Sequence, residues 1–333
     1  MKKIKIAQIG TSKNGHGNAV FQTLVENPDI FEIVGYVLPE NEREKFPKCM
    51  PLFEGYREMT LEEVLNDPAI EAVTVETEEI YLTKYALLSA KAGKHIHMEK
   101  PGGLSLSDFE ELTATAKKNG TVFHVGYMYR YNPVIQSTLA RVRAGEFGEI
   151  ISVEAQMSGY RGIDMTEWLR TFTGGMMFYL GCHLVDLVYA IQGAPQRVLP
   201  FNKASHTHAT EGKDNCFALF EYENGVSFVK TSQAERGGYA RRQIVITGTK
   251  GSIEIKPLEV DIGYPVLRTD YTECFSEKFT VLPERCESAP YHRYQAMMRA
   301  FAAMVGEGKQ NPYTYDYELE MFKLLLQACG EEV

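Results

Sequence analysis

The first group of residues that could do chemistry is a glycine-rich loop near the start of the chain. It reads GTSKNGHG and places Gly10, Gly15 and Gly17 between a short apolar run and an apolar-periodic stretch. Without a Cβ in the way, backbone N–H groups and a helix N-terminus can approach a pyrophosphate, and the helix dipole favours the anion. This context indicates dinucleotide binding. The spacing departs from GxGxxG, and the alternative is a loop that only turns.

A lysine lies in the second group, GKHIHMEKP, at residues 93–101. The segment His95 to Met98, between Gly93 and Pro101, predicts a strand, and Lys100 follows it closely. In an open parallel sheet the carboxyl ends of the strands form the ligand crevice, so we expect Lys100 to face a cofactor or a substrate. The alternative is a solvated turn residue before Pro101.

A histidine, His183, lies on an otherwise apolar stretch that predicts a helix from Leu180 to Ile191. An imidazole titrates near neutral pH, so it can take a proton from a hydroxyl group during alcohol oxidation and return it during carbonyl reduction. From the helical pattern alone, a buried core histidine is the favoured interpretation.

The elements that must position these residues change character after about Tyr127. Before it, five strand-like runs alternate with helical stretches, which predicts a parallel sheet with right-handed crossovers. After it, hairpin signals such as Asn224-Gly225 join consecutive strands and predict a mainly antiparallel open sheet. We therefore predict an α/β fold, with a Rossmann dinucleotide-binding domain at residues 1–126 and an α+β domain for substrate binding and oligomerisation at residues 127–333.

Composition excludes several classes of function. The chain has 333 residues, more than one hydrophobic core usually supports, and a net charge of -9 without a basic stripe for nucleic acid. Its six cysteines are widely spaced, and no metal site is predicted. The apolar run at the start is too short for a signal peptide, and no run approaches the roughly 20 residues of a membrane span. We expect a cytoplasmic protein with reduced thiols.

Several motifs in one order resemble those of the Gfo/Idh/MocA family of NAD(P)-dependent oxidoreductases, which includes glucose-fructose oxidoreductase and inositol dehydrogenase. The resemblance covers essentially the full length of the chain. The motifs that carry it are Gly93-Lys94-His95, Glu99-Lys100-Pro101, Arg130-Tyr131-Asn132-Pro133, Trp168 ahead of Gly174-Gly175, Gly181-Cys182-His183-Leu184-Val185-Asp186, Asn224-Gly225 and Gly248-Thr249-Lys250-Gly251-Ser252.

The resemblance implies a role for each group. Lys100 would contact the reacting oxygen of the substrate near the nicotinamide, and His183 would be the acid/base. Tyr179 is a third catalytic candidate, because it lies four residues before His183 where the family usually has an aspartate. The residues expected to hold NAD or NADP are Gly10, Thr11, Ser12, Gly15, His16, Gly17, Leu38, Thr77, Glu99, Lys100 and Pro101, with Trp168 and Arg170 closing over the dinucleotide. The residues expected to bind substrate are Tyr127, Arg130, Tyr179 and His183.

Two further departures from the family pattern concern the cofactor. The second strand ends at Leu38-Pro39, where the family usually has an acid that holds the adenosine ribose hydroxyls. The third strand is followed by Thr77-Glu78, where the family often has Thr-Pro. Leu38 supplies neither a carboxylate for ribose hydroxyls nor a charge to repel a 2′-phosphate, so we expect weak discrimination between NAD and NADP.

The predicted function is hydride transfer between NAD(P) and a secondary hydroxyl or carbonyl group of a sugar, cyclitol or related polar small molecule. One alternative is a glycosidase that holds NAD tightly and oxidises its substrate transiently. The other is a sensor of dinucleotide or sugar without turnover, since a fold does not guarantee activity. The expected partners are a polar small-molecule substrate and further copies of the same chain, as a dimer or tetramer. Neither nucleic acid nor a membrane is expected.

Overall fold

The computed structural model describes residues 2–333, and these form two compact units. Unit 1 contains the chain up to Tyr127 and the segment Tyr294–Phe322. Unit 2 contains Met128–Arg293 and Lys323–Val333.

Unit 1 is built on a parallel sheet of five strands in the order β2-β1-β3-β4-β5. The strands are β1 (Ile4–Ile9), β2 (Phe31–Val37), β3 (Ala72–Val75), β4 (His95–Met98) and β5 (Phe123–Val125), and the helices between them are α1 (Gly17–Val25), α2 (Glu42–Lys45), α3 (Leu61–Asn66), α4 (Leu82–Lys91) and α5 (Leu106–Asn119). Every strand pair is parallel, as the βα alternation predicts.

The register of this sheet determines which residues meet at its carboxyl edge. Ile9 pairs with Val75, and Val75 pairs with Met98. Strands β1, β3 and β4 therefore end side by side, and the residues that follow them share one edge. Those residues begin with Gly10, Glu76 and Glu99.

Unit 2 is an α+β structure around a sheet of eight strands. Its helices are α6 (Pro133–Arg143), α7 (Ile163–Trp168) and α8 (Cys182–Gln192), and its strands are β6 (Ile150–Ser158), β7 (Arg197–Lys203), β8 (Asn215–Tyr222), β9 (Gly225–Ser232), β10 (Gln243–Gly248), β11 (Ser252–Ile255), β12 (Val260–Asp261), β13 (Val266–Arg268), β14 (Asp270–Cys274), β15 (Glu284–Glu287) and β16 (Tyr291–His292). The large sheet has the order β15-β14-β11-β10-β6-β9-β8-β7. All of its neighbours are antiparallel except β6 and β9, so the predicted mainly antiparallel sheet is confirmed.

The two faces of this sheet differ. On one face the side chains of Ala155, Phe220 and Val229 are buried, and helix α8 packs against β6 on the sheet. On the other face Phe201 is 50% exposed, and the rings of Phe217 and Phe228 stack at 5.2 Å between centroids. This second face therefore presents an apolar patch, Phe201, Phe217 and Phe228, which its own unit leaves partly uncovered.

The last two helices are α9 (Gln295–Glu307) and α10 (Tyr315–Cys329). Phe301 stacks on His124 at 5.6 Å, and Phe322 stacks on Phe109 at 4.4 Å between ring centroids. These buried rings place segment 294–322 in unit 1, whereas the division at residues 126 and 127 assigns it to the second domain. Over residues 2–333, no helix has the length and apolarity that crossing a membrane requires.

Candidate active site

The glycine-rich loop follows β1 and is shaped by close backbone contacts. Gly10 has φ of +88°, and a Cβ on it would lie 2.4 Å from Cγ2 of Thr77. A Cβ on Gly17 would lie 2.9 Å from Cβ of Glu76. At Gly15 the nearest atom would be at an ordinary 3.4 Å. Two of the three glycines are therefore required by the geometry, because they let the loop pack closely against Glu76 and Thr77 after β3.

One amide of this loop is already engaged by a carboxyl group that the sequence analysis missed. The backbone N–H of Thr11 donates to Oε2 of Glu42 at 2.9 Å. Glu42 is the first residue of α2 and is completely buried, and burial raises its pKa to about 8. Its other oxygen, Oε1, has no hydrogen-bond partner among the described residues. Glu42 lies only four residues after Leu38 in the sequence. Nothing in the local pattern indicated that its side chain reaches the glycine-rich loop.

Leu38, the residue expected at the adenosine end, and Arg43, five residues later, have different surroundings. Leu38 packs against the apolar cluster of Phe21, Tyr36 and Phe53. Arg43 donates to the Glu58 carboxylate and lies 3.4 Å from the Tyr36 hydroxyl group. Leu38 thus brings no charge to the site, and the Arg43 guanidinium group is already paired with the Glu58 carboxylate.

At the carboxyl end of β4, Glu99 and Lys100 are both buried. Nδ1 of His16 lies 3.0 and 3.1 Å from the two carboxylate oxygens of Glu99, and Nζ of Lys100 lies 3.5 Å from Oε1. Burial opposes ionisation of Glu99, but the charge and hydrogen bond of His16 and the charge of Lys100 outweigh it and lower its pKa. The structure thus brings together three residues predicted for the cofactor site, and Glu99 is held as an anion beside Lys100.

Two more buried carboxyl groups, Glu76 and Glu79, follow β3 and were not predicted. Each is 1% exposed, and none of their four carboxyl oxygens has a hydrogen-bond partner among the described residues. Burial raises the pKa of Glu76 well above its usual range and that of Glu79 to about 7, against the opposing charge of Lys100. Lys100 therefore lies in a cluster of acids whose charge changes with pH.

The buried imidazole of His97 extends this cluster into the sheet. Its Nε2 lies 3.5 Å from Oε1 of Glu76, and its Nδ1 lies 2.7 Å from Nδ1 of His124. Burial lowers the pKa of His97 to about 4. His97 is thus neutral at neutral pH, and burial favours the protonated form of the neighbouring Glu76.

In unit 2, His183 lies on α8 and is buried. Its ring packs edge-on against Tyr129 at 5.0 Å between centroids. Asp186, one helical turn later, accepts from Nε of Arg130 at 3.0 Å and from Nη2 at 2.7 Å. The Arg130 side chain is completely buried in this pair, so it anchors α8 and with it His183. Direct contact of Arg130 with substrate stays a prediction.

Tyr179 lies in a turn of π-helix, Met177–Gly181, that leads into α8. The sequence pattern predicted an ordinary helix here. A π-turn adds a residue to the turn and shifts the side chains that follow it, and such turns are frequent at functional sites. The Tyr179 ring packs edge-on against Trp168 at 4.9 Å.

The remaining predicted residues occupy varied positions. Trp168 also contacts Phe172 at 4.7 Å, and Arg170 is 57% exposed and paired with Glu167 at 2.9 Å. Tyr127 is fully buried at the end of the first segment of unit 1. Closure of Trp168 and Arg170 over a dinucleotide stays a prediction.

Comparison with protein-family models shows to which family the chain belongs. Residues 4–127 match the model of an oxidoreductase family with an NAD-binding Rossmann fold, and residues 135–254 match the C-terminal domain model of the same GFO/IDH/MocA group. The chain belongs to the Gfo/Idh/MocA family.

Relatives within the Gfo/Idh/MocA family are distant. The chain is 29% identical over 192 residues to the uncharacterized oxidoreductase YhhX of Escherichia coli, an alignment that covers 58% of this chain and 54% of YhhX. It is 27% identical over 255 residues to scyllo-inositol 2-dehydrogenase (NAD(+)) of Bacillus subtilis, covering 74% of this chain and 71% of that enzyme. A solved structure of levoglucosan dehydrogenase with NADH and levoglucosan has the same fold, with a TM-score of 0.79, 17% identity and coverage of 99% and 98%.

Membership in the Gfo/Idh/MocA family gives unit 1 its cofactor, since the matched model is an NAD-binding domain. Helix α1 begins at Gly17, directly after the loop, and a helix N-terminus suits the pyrophosphate of such a group. The aspartate that the resemblance places four residues before His183 is replaced by Tyr179, which lies in the π-turn.

Proposed function

We propose that this chain interconverts a secondary hydroxyl group and a carbonyl group on a sugar, cyclitol or related polar small molecule, with NAD or NADP as hydride carrier. The single observation that carries the proposal is Lys100, a buried lysine at the carboxyl edge of the parallel sheet, 3.5 Å from the Glu99 carboxylate. Only β3 separates its strand, β4, from β1, which leads into the glycine-rich loop.

Each proposed residue has a distinct task. The nicotinamide, when bound, supplies or accepts the hydride. Lys100 stabilises the negative charge that develops on the reacting oxygen, and Glu99 holds the Lys100 amine in place. His183 takes the hydroxyl proton during oxidation and returns it during reduction, because its imidazole can carry that proton near neutral pH. The residues named above for the dinucleotide hold it through loop amides and the N-terminus of α1, whose dipole favours the pyrophosphate.

Two further properties belong to the proposal. We propose that the partly uncovered apolar patch of the large sheet, which includes Phe201, Phe217 and Phe228, joins two copies of the chain. We also propose a reducing compartment, the cytoplasm, because all six cysteines are free thiols.

The test measures the rate at which the native chain, Lys100→Ala and Lys91→Ala reduce NAD or NADP with a panel of sugars and cyclitols. Lys91 is an exposed lysine of α4 paired with Glu111, so it serves as the matched control. Lys100→Ala should bind dinucleotide and lose at least about a hundredfold in turnover, the size of a lost charge-stabilising group. Equal turnover in the three proteins would refute the role of Lys100.

The assay also separates the alternatives. Release of one reduced cofactor per product supports the dehydrogenase. Cleavage of glycosides without net release of reduced cofactor would instead indicate transient oxidation. Binding of both ligands without any turnover would indicate a sensor.

A further inference from the structure

A cluster of charged side chains in unit 2 lies beside the histidine but is not used by the mechanism above. It consists of Arg242, which precedes β10, Glu259, which precedes β12, and Arg293, which follows β16. Nη1 of Arg242 lies 3.0 Å from Oε2 of Glu259, and Nη2 of Arg293 lies 3.0 Å from Oε1. Two guanidinium groups thus share one buried carboxylate, and we name these three residues the arginine cluster.

The arginine cluster carries one positive charge more than its acid neutralises. The phenol of Tyr129 donates to Oε2 of Glu259 at 2.8 Å, and burial, with the charge of Glu259, raises its pKa and keeps it neutral. Asp261 is exposed and uses Oδ1 to accept the backbone N–H groups of Gly263 and Tyr264. The excess charge therefore belongs to the two arginines.

One hydrogen-bond donor of the arginine cluster has no acceptor among the described residues. Nε of Arg242 is buried and has no hydrogen-bond partner among the described residues. Leaving a buried charged donor unsatisfied costs more than a typical hydrogen bond gains, so such groups are uncommon, and a bound acceptor would remove the cost. The arginine side chains remain 11% and 14% exposed, so an acceptor from outside the chain can reach them.

Tyr129 links the arginine cluster to His183. Its ring packs edge-on against the His183 ring, and its hydroxyl oxygen lies 3.4 Å from Nη1 of Arg242 and 3.5 Å from Nη2 of Arg293. The cationic groups and the proposed acid/base are thus separated by the span of one tyrosine side chain. A small molecule that reacts at His183 can therefore reach the arginines with its far end.

We propose that the arginine cluster binds an anionic group of the substrate, so that the substrate class is an acidic sugar or cyclitol derivative. Guanidinium groups suit this task because their planar, fixed donors match the oxygens of a carboxylate or phosphate. The proposal rests on the proposed function for the reacting end of the substrate. The alternative is that the arginine cluster binds no ligand and only joins, by salt bridges, the segments before β10, before β12 and after β16.

The experiment compares acids with their neutral counterparts. Binding of D-glucuronate, D-galacturonate and the two hexose 6-phosphates is measured against D-glucose and D-galactose, by calorimetry without added dinucleotide, for the native chain, Arg242→Met, Arg242→Lys and Arg241→Met. Arg241 is an adjacent, 54% exposed arginine that pairs with Glu235, and it controls for loss of surface charge. Comparing the affinities of the uronates with those of the sugar phosphates shows whether a carboxylate or a phosphate group is preferred.

We expect native protein to bind the acids more tightly than the neutral hexoses. In Arg242→Met the ratio of acid to neutral affinity should fall at least about tenfold, the value of one hydrogen bond between charged groups. Arg242→Lys should recover part of the ratio, and Arg241→Met should keep it. A ratio unchanged in folded Arg242→Met, or acids that bind no better than hexoses, would overturn the proposal. Because binding is measured without turnover, acids that bind through Arg242 but are never oxidised would refute only the proposed function.

Discussion

The buried Glu42 carboxyl group predicts how the stability of unit 1 depends on pH. In the folded chain its pKa rises from 4.5 to about 8, mainly because burial penalises the charged form. Between these values the folded state holds a proton that the unfolded state has released. The unfolded state therefore binds fewer protons, and stability falls as pH rises through this window. Glu42→Gln has no proton to lose and keeps an oxygen for the Thr11 amide.

The magnitude follows from the same shift. At about 1.36 kcal/mol for each pKa unit, the ionised carboxyl group costs up to roughly 5 kcal/mol above about pH 8 and almost nothing below about pH 4. Glu42→Gln should therefore match the native chain in acid and exceed its stability at alkaline pH. For a unit of this size the gain corresponds to a Tm increase of the order of 10 °C.

The assay is scanning calorimetry of both proteins from about pH 5 to about pH 9, where linkage predicts the divergence. Trp168 is the only tryptophan and lies in unit 2, so fluorescence would not report on unit 1. Glu58→Gln is the control, because Glu58 is an exposed acid paired with Arg43 and its loss should change stability by about 1 kcal/mol or less. Parallel pH profiles for Glu42→Gln and the native chain would refute the reasoning.

The remaining predictions concern catalysis, cofactor and assembly. Tyr179→Asp should move the limiting pKa of kcat/KM upward, because an ionised aspartate favours the His183 imidazolium, whereas Tyr179→Phe should leave it in place. The dissociation constants for NAD and NADP should differ by less than about a hundredfold, or ~2.7 kcal/mol, because Leu38 brings no charge to the adenosine end. Phe201→Asp should shift the native chain from dimer to monomer in sedimentation experiments, because a charge is costly in an apolar contact.

Each of these three predictions would be contradicted by a specific result. A pH profile unmoved in both Tyr179 variants, with His183→Ala inactive, would leave Tyr179 as packing. A preference for NAD of more than a hundredfold would point to a carboxyl group such as Glu42 at the ribose. A native chain that sediments as a monomer at micromolar concentration would remove the proposed assembly.

Local sequence patterns were enough to determine the parallel sheet of unit 1 and the edge of that sheet on which Lys100 lies. The strand predicted at His95 to Met98 has those bounds in the structure. Buried parallel strands form short continuous apolar runs, and glycines mark where the backbone must approach a neighbour. For the same reason, the placement of Lys100 after a strand followed from the sequence.

Tertiary structure alone decided which side chains meet. Glu42 reaches the Thr11 amide across 31 residues, and Arg242 shares Glu259 with Arg293. The assignment of segment 294–322 to unit 1 and the parallel pairing of β6 with β9 also join distant parts of the chain. A polar residue in a loop looks the same in the sequence whether it is solvated or buried, because its burial and its charge depend on segments that only folding brings together.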